Sequence, residues 1–235
     1  MFGCIAVLCF FLDYVVYIPF LTALSLLADF LDGLAARALN VSSPIGKELD
    51  SLADAVSFGV VPAIALVYLI TYYTYPPSVG LEFNFAETLN RIDSIPEGFL
   101  ILFPLILALF SVLRLAKFNI STDQTTEFKG LATPASTIFV MGLFIAHFKG
   151  IKLNSSIDIA WMLRLIAIIL SGLQLSNIPM FSFKLKGFAL KENKWQYIFT
   201  AISLILVAGF QWASIPLIII CYILLNIVRT FEKRS

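Results

Sequence analysis

Two stretches of the chain carry acidic residues at helical spacing inside otherwise apolar surroundings. The first is Asp29-Phe-Leu-Asp32-Gly33-Leu-Ala-Ala36-Arg37; eight residues later comes Gly46-Lys-Glu-Leu-Asp50-Ser-Leu-Ala-Asp54. Asp29 and Asp32 are three apart with Ala36 continuing their stripe, and Gly46, Asp50 and Asp54 are four apart, so each helix presents one acidic face. A tight connection at Val41 to Pro44 makes the helices antiparallel neighbours, and the four carboxylates can then converge. A charged side chain at a helix centre costs roughly 2.5–3.5 kcal/mol on membrane-insertion scales, and more when like charges repel. Hard divalent cations bound through oxygen offset that cost, and Mg²⁺ in particular binds a few carboxylates while leaving positions for phosphate oxygens. Gly33 and Gly46 have no side chain where a ligand must approach the helix, and Arg37 offers a planar donor fork to a phosphate. The pattern predicts dication-dependent phosphoryl chemistry at the inner membrane boundary. The plainer alternative, acids that cap helix ends or pair with Arg37 and Lys47, accounts for one or two of them but not for four beside two glycines.

The composition says what must hold these residues. Of 235 residues 60% are apolar and only 13% charged, against about half and a quarter in a water-soluble domain; the solvent this surface expects is lipid. A net charge of +1, with the basic residues at helix ends rather than in one stripe, excludes a nucleic-acid footprint. Cys4, Cys9 and Cys221 lie in apolar runs without metal-ligand spacing and suggest neither disulfides nor zinc. The N-terminal apolar stretch has no basic residue before Arg37 and no cleavage site, so it is expected to be a spanning helix rather than a removable signal.

Apolar segments long enough to cross a bilayer are Met1 to about Tyr17, Pro19 to Asn40, Ile45 to Tyr73, Phe99 to Asn119, Leu131 to Phe148, Ile157 to Leu175, Tyr197 to Ala213 and Ser214 to Phe231. Only Gln211, Trp212, Ser214 and Pro216 separate the last two, so a count of six or seven also fits. Thr74 to Gly98 is expected to be a polar, acidic loop. Asn177 to Gln196 interleaves Lys184, Lys186, Lys191 and Lys194 with Phe181, Phe183, Phe188 and Trp195, the composition of a segment lying on an anionic leaflet or of a solvated connection. Starting inside, Arg37, Lys47, Arg114, Lys117, Lys129, those four lysines, Arg229, Lys233 and Arg234 collect on one side, against Arg91, Lys149 and Lys152 on the other, with Arg164 within the sixth span. That asymmetry directs both termini to the cytoplasm.

The acidic string matches D-x2-D-G-x2-A-R-x8-G-x3-D-x3-D at every fixed position and so resembles the signature of the CDP-alcohol phosphatidyltransferases. The resemblance implies a membrane enzyme with a six-helix core, in which a CDP-linked lipid sits over a two-metal cluster and an acceptor alcohol displaces CMP. Carried onto this chain, it implies that Asp29, Asp32, Asp50 and Asp54 are ligands of Mg²⁺ or Mn²⁺. Asp54 would also be the base, and Gly33, Arg37 and Gly46 would contact the cytidine diphosphate. Ser51-Leu-Ala-Asp54-Ala-Val-Ser57-Phe58-Gly59-Val-Val-Pro62-Ala63, Arg114-Leu-Ala-Lys117-Phe-Asn119 and Lys129-Gly130-Leu-Ala-Thr-Pro134 are similar to the phosphatidylserine synthase branch, which adds two helices to the core. The chain departs from the family pattern in having only two residues before Gly3 and in carrying Ala132 where that branch more often has proline. No Ser/His/Asp set competes, and His147, at the far side of the fifth span, is expected to be a helix-end residue.

The expectation is therefore an all-α integral membrane protein with about eight transmembrane helices: a six-helix catalytic core over 1–175, an interfacial segment over 176–196, and two added helices with a basic tail over 197–235. CDP-diacylglycerol and L-serine are the expected substrates, in a bacterial inner (cytoplasmic) membrane with the site facing the cytoplasm. Arg114, Lys117 and Lys129 either meet the serine carboxylate or anchor the helix ends. Ser57 and Asn119 either add hydrogen bonds to it or cap backbone. Lipid-facing Phe and Leu surfaces could host the homodimer that the family favours. Two rivals stay open: a sibling transferase using glycerol 3-phosphate, inositol or another alcohol, and a transporter whose intramembrane acids line its pathway.

Overall fold

The computed structural model describes residues 1–39, 43–77, 83–90, 92, 94–120, 128–151, 158–181 and 193–232. They form an all-α membrane protein with helices α1 (Phe2–Phe11), α2 (Ile18–Leu39), α3 (Pro44–Asp54), α4 (Val61–Thr74), α5 (Phe85–Asn90), α6 (Ile95–Leu102), α7 (Ile106–Ile120), α8 (Thr133–Phe148), α9 (Ile159–Leu175), α10 (Lys194–Phe210) and α11 (Ser214–Glu232). One two-residue antiparallel pair, β1 (Phe128–Lys129) with β2 (Pro179–Met180), joins the loops before α8 and after α9. Four helical stretches are long and apolar enough to cross a bilayer: Val15–Leu39, Pro44–Thr74, Ile95–Ile120 and Lys194–Glu232. Phe2–Phe11, Thr133–Phe148 and Ile159–Leu175 are shorter apolar helices. The last long stretch is a hairpin. Gln211 takes a left-handed φ of 47° between α10 and α11, and Lys194 meets Glu232 at 3.3 Å where the two helices end.

Local chemistry starts and breaks these helices as the residue types demand. Ser43 caps α3 by accepting from the Gly46 N–H at 3.0 Å, with Pro44 in the first turn, where its missing N–H is harmless. Asp158 caps α9 through the Trp161 N–H. Pro62 interrupts the long Pro44–Thr74 stretch. It has no N–H to give the Phe58 carbonyl, and the backbone widens into a π-helix over Ala55–Val60, where the Val61 N–H reaches back to the Val56 carbonyl. Widened turns of this kind frequently mark functional positions.

Two kinds of packing hold the bundle. Toward the end of the fold where α1 finishes, Phe10, Tyr68, Phe85 and Phe144 form a buried aromatic cluster, with ring centroids 5.9 Å apart for Phe10–Phe144 and 5.3 Å for Tyr68–Phe85. Toward the opposite end the core is polar. The Ser111 hydroxyl is 3.1 Å from Gln174 Oε1, and Gln174 Nε2 donates to Ser136 at 2.8 Å, so α7, α8 and α9 share one buried network. Helix α4 is buried on nearly all sides, whereas α3 has no buried residue.

Thr74 to Gly98, expected as a loop, contains α5 and the first turn of α6. The side chain of Asp13, itself at a φ of 58°, accepts from Asn84 Nδ2 at 2.7 Å, and Phe85 inserts into the aromatic cluster. The contact joins residues 71 positions apart, so local sequence carries no sign of it. Arg91, Lys152, Lys184, Lys186, Lys191, Lys233 and Arg234, used above for orientation, and Val41, Phe183 and Phe188 lie outside the described residues.

Gly130 gives this packing a direct test. Its φ is 76°, and a Cβ there would sit 2.5 Å from the Gln174 carbonyl oxygen. Gly130→Ala is expected to lose about 2 kcal/mol or more, a fall of roughly 4–8 °C in melting temperature in detergent. Gly150→Ala, with a φ of 68° but open space around it, should fall by less; equal losses at the two positions would refute the steric account.

Candidate active site

The acidic faces of α2 and α3 meet. Asp29, Asp50 and Asp54 each bring a carboxylate oxygen within 4.8 Å of the others, Asp29 and Asp54 partly buried and Asp50 exposed. At that separation each like-charged pair repels by about 3.5 kcal/mol at an effective dielectric of 20. The arrangement therefore needs positive charge. Arg114, on the last turns of α7, lies within electrostatic reach of Asp54, and its Nε is buried without a hydrogen-bond partner. One guanidinium cannot offset three carboxylates, and a set of oxygen donors this close, open on one side, fits a hard divalent cation.

Direct contacts hold α3 and α7 in register. Lys47 Nζ donates to the Asn119 carbonyl at 3.3 Å, Asn119 Nδ2 donates to Ser51 Oγ at 2.9 Å, and Ser51 Oγ donates to the Lys47 carbonyl at 3.1 Å. This triangle ties the first turns of α3 to the last turn of α7, the helix that carries Arg114. On α2, Arg37 folds back so that its Nε donates to the Gly33 carbonyl at 2.8 Å, and a side chain at 33 would lie against the guanidinium. A Cβ at Gly46 would stand 2.9 Å from the Ser43 hydroxyl. Glycine there preserves the cap of the helix that carries Asp50 and Asp54.

Around the acids the surface is open and apolar: Leu27, Phe30, Leu31 and Leu34 on α2 and Leu49 and Leu52 on α3 are all exposed. Cation-binding oxygens beside exposed apolar side chains suit a substrate with an anionic head and hydrocarbon tails.

A family model for CDP-alcohol phosphatidyltransferase matches residues 1–173. The chain belongs to that family. It is also similar to a CDP-diacylglycerol–serine O-phosphatidyltransferase of Helicobacter pylori J99, 32% identical over 212 residues that cover 89% of this chain and 77% of the relative. The Bacillus subtilis protein of the same name is 39% identical over 106 residues, 45% of this chain and 48% of the relative. The Saccharomyces cerevisiae one is 34% identical over 147 residues, 59% and 45% of the two chains.

Of the residues singled out from the sequence, the structure brings Asp29, Asp50 and Asp54 together with Arg114 in electrostatic reach, and it places the others differently. Asp32 is exposed one turn beyond Asp29 and lies outside the 4.8 Å group. Asn119 commits its side-chain N–H to Ser51 and its carbonyl to Lys47. Ser57 sits in the π-helix against Gly3 of α1, where a Cβ on that glycine would meet its hydroxyl at 2.5 Å. Lys117 and Lys129 are exposed, the latter in β1. His147 ends α8, with Nδ1 3.1 Å from the Tyr73 hydroxyl, far from the acids. Sequence inspection passed over Ser111, Ser136, Thr137 and Gln174, although a polar residue inside an apolar span is itself the signal that could have found them.

Repulsion among the three acids makes a prediction of opposite signs. Asp29→Asn and Asp54→Asn should each melt a few degrees higher than the wild type in chelator, because one like-charge contact is gone. Each should melt lower than the wild type in millimolar Mn²⁺, because the wild type alone gains the binding energy. Thermal scans with and without metal check this, and a wild-type protein indifferent to Mn²⁺ would contradict it.

Proposed function

We propose that this chain is a CDP-diacylglycerol–serine O-phosphatidyltransferase, moving the phosphatidyl group from CDP-diacylglycerol to the hydroxyl of L-serine with release of CMP. The observation that carries this function is the meeting of Asp29, Asp50 and Asp54 within 4.8 Å beside Arg114. The names of the relatives support serine as the acceptor.

Asp29, Asp50 and Asp54, with Asp32 one turn away, would hold Mg²⁺ or Mn²⁺, two ions in the family pattern. When bound, the cations neutralise the diphosphate and the charge that develops on departing CMP. Gly33, Arg37 and Gly46 receive the cytidine diphosphate, and the exposed leucines of α2 and α3 lie along the acyl chains. The serine hydroxyl oxygen bonds to the phosphorus that carries diacylglycerol, the bond from that phosphorus to the CMP oxygen breaks, and Asp54 accepts the hydroxyl proton. Arg114 is the group best placed for the serine carboxylate, because its buried Nε has no other acceptor. Lys117 and Lys129, both exposed, meet the serine carboxylate or anchor the helix ends, and Asn119 and Ser57 act through helix packing.

In the membrane, the acidic cluster and both termini face the cytoplasm, since Arg37, Lys47, Arg114 and Lys117 share its end of the bundle; in a bacterium that membrane is the inner one. Residues 1–175 form the catalytic core, 176–196 the interfacial segment and 197–235 the two added helices.

Purified protein in nanodiscs should release CMP from CDP-diacylglycerol when serine and Mg²⁺ or Mn²⁺ are present. Glycerol 3-phosphate or inositol should not replace serine. Chelator or Asp54→Asn should lower the rate by about 10³-fold or more, and Arg114→Met should raise the KM for serine by roughly 10- to 100-fold. Turnover with another alcohol but not serine would reassign the acceptor, and full activity of Asp54→Asn would remove the base.

A further inference from the structure

The turn that aims Asp54 has an unusual supporting contact. Pro62 cannot donate to the Phe58 carbonyl, and in a membrane interior an unsatisfied carbonyl is costly. That carbonyl instead lies 3.0 Å from the hydroxyl of Thr137 on α8, which is fully buried and also lies 2.9 Å from the Thr133 carbonyl of its own helix. The single hydroxyl proton is shared between the two oxygens. The π-helix is closely approached on two further sides: a Cβ on Gly3 of α1 would stand 2.5 Å from the Ser57 hydroxyl, and a Cβ on Gly59 would stand 3.1 Å from Ser111 of α7.

The consequence is rotational. Helix α4 is locked into the core, whereas α3 is held only at its edges. One additional residue in the connecting turn changes the direction of every side chain before it by about 100° relative to a continuous α-helix. The direction of Asp50 and Asp54 toward Asp29 thus depends on the π-helix staying wide.

We infer that Thr137 is a positioning residue for the acidic cluster: its hydroxyl supplies the donor that Pro62 withholds from Phe58, and by stabilising the π-helix it keeps Asp50 and Asp54 turned toward Asp29. The inference rests on the proposed role of those carboxylates as cation ligands. Thr137 touches neither cation nor substrate.

Mn²⁺ alone is the probe, titrated against protein in nanodiscs and followed by electron paramagnetic resonance of the free ion, with no substrate present. Thr137→Val keeps the shape of the side chain and removes the donor; it should bind Mn²⁺ about tenfold more weakly, while Thr137→Ser should bind as the wild type does. Pro62→Ala restores a backbone N–H to residue 62. In that background Thr137→Val should have little further effect, a non-additivity that a general packing defect would not produce. Asp54→Asn is the control for the carboxylates.

Wild-type affinity in Thr137→Val, failure of Thr137→Ser to rescue, or equal losses with and without Pro62→Ala would each overturn the role of Thr137 while leaving the carboxylates in place. Wild-type protein that binds no Mn²⁺, or Asp54→Asn that binds it undiminished, would overturn the cation-site reading itself and this inference with it. Should Thr137→Val fail to fold, Thr137→Ala takes its place: it should bind Mn²⁺ about tenfold more weakly than Thr137→Ser, and equal binding by the two would overturn the inference.

Discussion

Three carboxylates held within 4.8 Å of one another at a membrane boundary are the constraint around which this bundle is organised. Like charges at this distance push apart, so the backbone that presents them must be fastened elsewhere. The fastening is asymmetric. Helix α4 is embedded in the core, while α3 and the second half of α2 are exposed, and α3 is held to α4 by the π-helix and to α7 by the Lys47–Asn119–Ser51 contacts. A site packed on all sides would suppress the repulsion better but would shut out a substrate arriving through the bilayer.

The same division runs along the axis of the bundle. In lipid, helices gain little from burying apolar surface against one another, and close backbone approach and hydrogen bonds matter more. Gly142 of α8 illustrates the first: a Cβ there would come 2.7 Å from Pro216 of α11, so the α10–α11 hairpin packs closely on α8. Ser111, Gln174, Ser136 and Thr137 illustrate the second, and all lie in the half of the bundle that carries the acids. The opposite half relies on interlocked aromatic rings. Polar adhesion thus concentrates where side-chain direction has chemical consequences.

Much of the fold was legible because apolar run length is itself the physical requirement for crossing a bilayer. Apart from α5 and the first turn of α6, the described helices fall on the segments so chosen, even across the weak break at Gln211. What escaped was non-local. Helix α5 depends on Asp13 pairing with Asn84 and on Phe85 entering a cluster assembled from three other helices. In the candidate site, helical spacing was enough to assign Asp29, Asp50 and Asp54 to facing stripes, because three- and four-residue intervals put side chains on one face whatever surrounds them. It was not enough to separate Asp32 from the other three, since that depends on how far α2 is rotated toward α3. Nor could it show that Asn119 ties two helices together.

By itself, then, the sequence determined the solvent, the helical character and the acidic faces of two neighbouring helices, because these follow from composition and from intervals along a single helix. Tertiary structure alone decided which carboxylates meet, that Arg114 comes within electrostatic reach of Asp54, and that the Phe58 carbonyl, to which Pro62 cannot donate, meets a hydroxyl on another helix. Those outcomes depend on the relative rotation and depth of separate helices, quantities that packing between distant parts of the chain sets and local spacing does not encode.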